Sequence, residues 1–472
     1  MKLIYNVEDK PQFSERLVFA FQQLLAIMAA TIAVPAIVGN GMTASAALFG
    51  AGVGTLVYQL FTRFRSPVFL GSSFAFLDAM AVAFAGGVSM TLGFAGLVLG
   101  AIFAGLVYVV FALAVKKYGV QWVGRLMPAV IIGPTVAIIG LCLAGNAVGD
   151  MLKGDVGPWV DGVLQPVASP YVALICGLVT LFTVIACSVY GSKRVRLIPF
   201  IIGILAGYVV ALCFTLIGNA TNNDALKIID FTPFKALVAD GVSLKTFLNV
   251  PQFTFLYAKD GLKELNWSYV GTIAMAYIPV AFVVFAEHLA DHKNLSSIIE
   301  KDLLKDPGLD KSLLGDGVGS MAGAFFGGCP NTTYGESIGC VAITKNASVI
   351  TIRYAAYLSI LVAFVSPLVA FLDSIPACVM GGVCMTLYGF IAVSGLKMLQ
   401  PVDLNDNRNL FVASVILISG VGGLFFTFKV GQGSITLTKI ACALLLGIIT
   451  NLIVRKGATP EGEEPKPQQL IK

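Results

Sequence analysis

Apolar residues run along this chain in long unbroken blocks, with polar residues confined to short gaps between them. Fourteen such blocks cover approximately 15–37, 44–62, 67–86, 92–114, 126–146, 170–190, 197–217, 268–291, 312–328, 331–346, 352–372, 376–395, 409–427 and 436–454. Most approach the roughly 20 residues that a helix needs to cross a hydrocarbon layer about 30 Å thick. The pattern predicts fourteen transmembrane segments in an all-α polytopic membrane protein. One long polar interval, 218–266, separates seven segments from seven.

The basic residues fit that count. With the N-terminus in the cytoplasm, the inner segments hold Lys2, Lys10, Arg16, Arg63, Arg65, Lys116, Lys117, Arg125, Lys193, Arg194 and Arg196 in the first half. In the second half they hold Lys293, Lys301, Lys305, Lys311, Lys345, Arg353, Lys397, Arg408, Arg455, Lys456, Lys466 and Lys472. The short outer loops hold only Lys153, Lys429 and Lys439. Long loops carry little weight in this rule. Both termini are therefore expected in the cytoplasm, with 218–266 external.

Composition agrees. The 472 residues are 57% hydrophobic and 12% charged, against about 25% charged in a soluble domain. The 50 glycines suit close helix approach in a membrane. Net charge +5 lies in short loops and predicts no nucleic-acid partner. The nine cysteines are scattered and form no CxxC pair, so they read as small buried residues. No cofactor or metal is expected. The opening "MKLIYNVEDKPQFSER" is too polar for a cleavable signal.

Two seven-segment halves must face opposite ways, the inverted-repeat plan of secondary transporters. That plan predicts interrupted segments at matching places. The third segment reads "SPVFLGSSFAFLDAM", with Pro67, Gly71, Ser72 and Ser73; the tenth contains "GGCPNTTYGESIGCVAI", with Pro330, Gly335 and Glu336. Proline removes a backbone donor, and glycine tolerates non-helical dihedrals. Broken backbone at membrane depth survives only where protein or a wet cavity satisfies it. Two facing breaks would form a binding site; the alternative is a pair of loops outside the bilayer.

The stretch "FAEHLADHKN" carries Glu287, Asp291 and both histidines of the chain, His288 and His292. Glu287 and Asp291, four apart, share a helix face. An acid inside a bilayer costs roughly 2.5–3.5 kcal/mol by insertion scales, which argues for function. The pair is either the polar end of its segment or a deeper site. Glu336 is the only charge between Val318 and Thr344. Asp78, in the first broken segment, belongs either to the site or to the outer mouth. The two imidazoles are expected to face the cytoplasmic boundary.

The blocks "AEHLADHKNLSSIIEKDLLKDPGL", "GGCPNTTYGESIG" and "FLGSSFAF" resemble the nucleobase–ascorbate transporter family, and most of all its bacterial uracil:proton symporters. "QQLLAIMAATIAVP" and "VMGGVCMTLYGFIAVSGLKML" extend the similarity, in order, over nearly the whole chain. The resemblance implies proton-coupled nucleobase uptake by alternating access across the cytoplasmic membrane, and no enzymatic activity. It implies inverted repeats at 1–217 and 267–456, an external loop at 218–266 and a cytoplasmic tail at 457–472. A core domain takes segments 1–4 and 8–11, and a gate domain takes segments 5–7 and 12–14. Short antiparallel strands in segments 3 and 10 meet at the site, and a homodimer forms through gate contacts. By the resemblance, Glu287 and Glu336 hold the base, the main chain at Phe74 and Gly335 completes the contacts, Tyr334 lies beside it, and Tyr388 closes the pocket.

The residues depart from the pattern in places. Gln23 stands where uracil symporters carry histidine. Asp291 replaces another histidine, as in the xanthine and purine branch, whereas Glu336 matches the uracil branch. A xanthine or purine permease is therefore the alternative reading. Glu287, Asp291, Gln23 and Asp78 are the candidates for proton coupling; the Glu287–Asp291 pair is expected to hold its proton as a unit. An anion exchanger of similar architecture fits less well, because carboxylates repel anions. A diiron oxygenase needs more imidazoles than two.

Overall fold

The computed structural model describes residues 3–119, 122, 127–160, 163–193, 195–239, 241–430 and 433–456. The tail at 457–472 and the basic residues Lys2, Arg125 and Arg194 lie outside the described residues.

The first half runs α1 (Phe13–Val38), α2 (Ala44–Phe61), β1 (Leu70–Ser72), a 3-10 turn at Phe74–Phe76, α3 (Leu77–Ala83), α4 (Met90–Tyr118) and α5 (Ala129–Asp150). Two short strands follow, β2 (Trp159–Val160) and β3 (Val163–Leu164), then α6 (Pro170–Tyr190) and α7 (Pro199–Thr221). The polar interval is partly helical, with α8 (Thr232–Ala236), α9 (Leu244–Phe247) and α10 (Thr254–Gly261). The second half runs α11 (Trp267–Ile299), α12 (Leu309–Gly327), β4 (Asn331–Thr333), α13 (Gly335–Thr344), α14 (Val349–Val362) and α15 (Ser366–Asp373). It ends with α16 (Ala377–Lys397), α17 (Asn407–Val421), β5 (Phe426–Val430), β6 (Gly433–Leu437) and α18 (Lys439–Lys456). Among the described residues, eight helices are long and apolar enough to cross a membrane: α1, α2, α4, α5, α6, α7, α11 and α16.

Local chemistry sets several of the helix starts. Thr43 and Ser89 cap α2 and α4 through their side chains, and the Asn266 side chain accepts from the Tyr269 amide at the start of α11. Each removes one of the unpaired amides that begin a helix. Small residues then set the packing. A Cβ on Gly140 of α5 would collide with the Tyr388 carbonyl of α16, and one on Gly395 of α16 would strike the α5 backbone. These two helices can touch backbone to backbone only because glycine stands there.

The third and tenth predicted segments are each a strand followed by a short helix. β1 and β4 pair antiparallel, with Leu70 opposite Thr333, Gly71 opposite Thr332 and Ser72 opposite Asn331. Ser73 N donates to Pro330 O at 2.9 Å, and Tyr334 N to Phe69 O at 3.3 Å, extending the ladder at both ends. The strands thus satisfy one another inside an apolar bundle, as broken backbone there requires.

A second strap joins the halves. Ile4 N donates to Lys345 O at 2.8 Å, Ala347 N to Tyr5 O at 2.9 Å and Val349 N to Val7 O at 3.1 Å. Val7 is buried there with Tyr58, Leu70, Leu295 and Ile338.

Two further predicted segments are interrupted. The 352–372 segment is divided between α14 and α15, with Pro367 in the first turn of α15, where a missing amide proton costs nothing. The 409–427 segment leaves helix at Val421, and β5 pairs antiparallel with β6. Helices α5, α11 and α17 all pack on α18.

Candidate functional site

The strand crossing lies beside α11. Helix α11 is continuous for 33 residues with Pro279 inside it, so Glu287 and Asp291 are not at a helix end. Thr333 Oγ1 of β4 donates to Asp291 Oδ2 at 2.6 Å. Asp291 therefore stands against the strand crossing, and Glu287 lies one helical turn away on the same face. Glu287, Asp291 and Glu336 are all half-buried. Among the described residues, no side chain pairs with the carboxylate of Glu287 or of Glu336.

Glu336 occupies the first turn of α13, whose start at Tyr334 has no side-chain cap. The 3-10 turn at Phe74–Phe76 also begins without one. Uncapped helix starts leave amide protons for an outside acceptor. Gly335 is exposed, and neither it nor Gly339 has an atom within 4 Å of where a Cβ would stand. Open space therefore runs along the α13 face that begins at the break.

Segments 1 and 12 approach the same place. Gln23 is buried, and its Nε2 donates to Ser337 Oγ, next to Glu336. That serine also accepts from Phe69 N at 3.1 Å. Phe74 and Tyr388 are buried and meet edge to face, ring centres 5.5 Å apart. The Tyr388 hydroxyl has no partner among the described residues. The Tyr334 side chain is committed to the crossing: its hydroxyl donates to Ser72 O at 2.8 Å, and its ring occupies the space a Gly71 Cβ would need.

The histidines correct the expectation. Both are fully buried, not turned to the cytoplasmic boundary. They stack at 4.0 Å on the side of α11 facing α2 and α12. His288 Nδ1 lies 2.7 Å from Asp316 Oδ2, and its Nε2 lies 3.0 Å from Ser312 Oγ. His292 Nδ1 donates to His288 O at 2.9 Å, which leaves Nε2 to accept from the Tyr58 hydroxyl at 2.8 Å. Asp316, buried on α12, is an intramembrane acid the sequence reading passed over. Its signal was a lone charge within "LLGDGVGSMAG". Asp78 is paired with Lys439 Nζ at 3.4 Å.

A separate cavity of about 360 Å³ is lined by Pro35, Met42, Asp150, Asp155, Asp373 and Met380, among others. None of the three site acids lines it. Burial pushes the Asp155 carboxyl up to about 7, against the opposing pull of the Ala377 amide that it accepts at 3.1 Å. All nine cysteines are free.

A helical bundle whose strand-broken segments cross beside carboxylates has the architecture of a membrane transporter. The transmembrane domain of a cyanobacterium bicarbonate transporter matches it with a TM-score of 0.60 at 15% identity, over 95% of this chain and 100% of that one. The murine anion transporter Slc26a9 in its inward-facing state matches at 0.59 and 13%, over 95% and 69%. These likenesses concern the fold alone. The model of a permease family matches residues 14–429. A uracil permease of Bacillus caldolyticus is 37% identical over 455 residues, 96% of this chain and 95% of that protein. The uracil permease of Escherichia coli (strain K12) is 35% identical over 95% and 94%. The chain belongs to this permease family, the nucleobase–ascorbate transporters. It is a transporter and not an enzyme.

Proposed function

We propose that the protein takes up uracil across the cytoplasmic membrane with protons. The observation that carries this reading is the set around the crossing: Glu287 and Glu336 without side-chain partners among the described residues, two uncapped helix starts, and open space beside Gly335. Uracil offers two ring N–H donors and two carbonyl acceptors. Carboxylates accept from the N–H groups, and the free amides at Phe74 and Gly335 donate to the carbonyls. Phe74 and Tyr388 supply the apolar wall for a flat neutral ring. Support from outside the site comes from the uracil permeases, which match nearly end to end.

In this reading Glu287 and Asp291 share the coupled proton, Gln23 fixes Ser337 beside Glu336, and Tyr334 braces the strands. Fourteen segments form two inverted repeats with cytoplasmic termini. The core bundle carrying the crossing moves against the gate bundle that carries Tyr388, and the protein works as a homodimer.

The test is uptake of labelled uracil into cells lacking their own carrier, with xanthine, uric acid, hypoxanthine and adenine as competitors. Uracil should be taken up, and a protonophore should abolish accumulation. Asp291 supports a second reading, a xanthine or purine permease, and uptake in which xanthine outcompetes uracil would establish it.

A further inference from the structure

The five residues from Phe74 to Asp78 carry two contacts to the other bundle. Phe74 meets Tyr388 of α16, and four residues later Asp78 meets Lys439 at the start of α18. The two contacts leave one short segment, which thus faces the gate with one ring and one charge. Asp78 and Lys439 are each roughly one-third exposed or less, at 34% and 27%. No other ion pair reaches either residue among the described residues. The lysine is also out of place for its helix. Positive charge is unfavourable at a helix N-terminus, and an acid opposite it offsets that cost.

We infer that the Asp78–Lys439 ion pair is a latch between the core and gate bundles, which closes in this conformation and parts on every transport cycle. The inference rests on the reading that these bundles move against each other. Phe74 belongs to the binding wall, so a latch one turn away ties bundle position to the state of the site. A ligand shifts a two-state equilibrium only through differential contacts; a fixed ion pair shifts it in the same way. A pair this exposed is worth no more than about 1 kcal/mol, which corresponds to a population shift of about two- to fivefold. That is large enough to set the resting orientation and small enough to break in each cycle.

Two experiments test the latch. Spin labels on cysteines at Ala85 and Asn146, in protein whose native cysteines have been replaced, report the distance between the bundles. Asp78→Asn and Lys439→Gln should each reduce the latched population about two- to fivefold. Asp78→Lys combined with Lys439→Asp should restore it. A proton site at Asp78 would not be rescued by lysine, so the reversal separates the two roles. Unchanged distributions in both neutral variants, or no rescue by reversal, overturn the latch. In the second experiment, Asp78→Cys and Lys439→Cys are bridged by a short bifunctional thiol reagent. Bridging should stop uptake, and cleaving the bridge should restore it. Failure to bridge refutes the contact. Full uptake in bridged protein refutes the moving-bundle reading itself. Arrest by bridging with inert charge variants refutes the latch alone.

Discussion

Thr333 donates its hydroxyl proton to Asp291 across 2.6 Å, so a strand of the tenth segment holds an acid of the eighth. Hydrogen bonds to charged groups are worth about 1.5–3 kcal/mol. Thr333→Val should therefore lower gradient-driven uptake about ten- to a hundredfold, and Thr333→Ser should restore most of it. Parental accumulation in Thr333→Val would show that the tie has no part in coupling.

The acids should divide their labour. Asp291→Asn is expected to keep equilibrium binding and exchange but lose accumulation against a gradient. Glu287→Gln should weaken binding itself, and Glu336→Gln should abolish uracil uptake or turn preference toward purines. Binding by calorimetry beside uptake in vesicles separates these outcomes. Full accumulation in Asp291→Asn moves the proton to Glu287 or to the buried His288–Asp316 pair.

Gly71→Ala should destabilise the protein through its contact with the Tyr334 ring. Overpacking of this kind costs about 1–3 kcal/mol. Thermal unfolding in detergent should show a lower midpoint, and combining the change with Tyr334→Ala should add less than the two changes separately.

Asp155 predicts a pH dependence of stability. Burial raises its folded value to about 7, above the unfolded value near 3.9. The folded state then binds the proton more tightly, so stability falls as pH rises from about 4 to about 7. Asp155→Asn should flatten that slope and gain on the parent toward pH 8. Parallel curves for the two proteins would contradict it.

Topology is open to labelling. Cysteines at Lys153 and Asn222 should react with an impermeant reagent in intact cells, and one at Lys305 should not. All three positions are exposed, so silence at Lys305 reports its side of the membrane. Reaction there would overturn the segment count.

Much of the site was legible because its costs are local. Pro67 and Gly71, then Pro330, announce backbone that leaves the helix, and the crossing stands where they fall. Asp291 and Glu336 stood out as charges in apolar runs. Long-range partners were not legible. Nothing near Gln23 points to Ser337, 314 residues away. The histidines seemed to mark a boundary because polar residues follow them, yet α11 runs on to Ile299. The β5–β6 hairpin was hidden differently: "FTFKV" alternates as a strand does, but its apolar content merged with the preceding block.

The crossing strands also dictate an order of assembly. Ser72 and Tyr334 are 262 residues apart, so the third segment leaves the ribosome long before its partner exists. Its unpaired amides and carbonyls cannot rest in lipid alone. Until β4 arrives, those groups need water or other parts of the chain as partners. The crossing can therefore close only after β4 has been made, and a truncation anywhere before Asn331 leaves an unfinished membrane domain, not a smaller one.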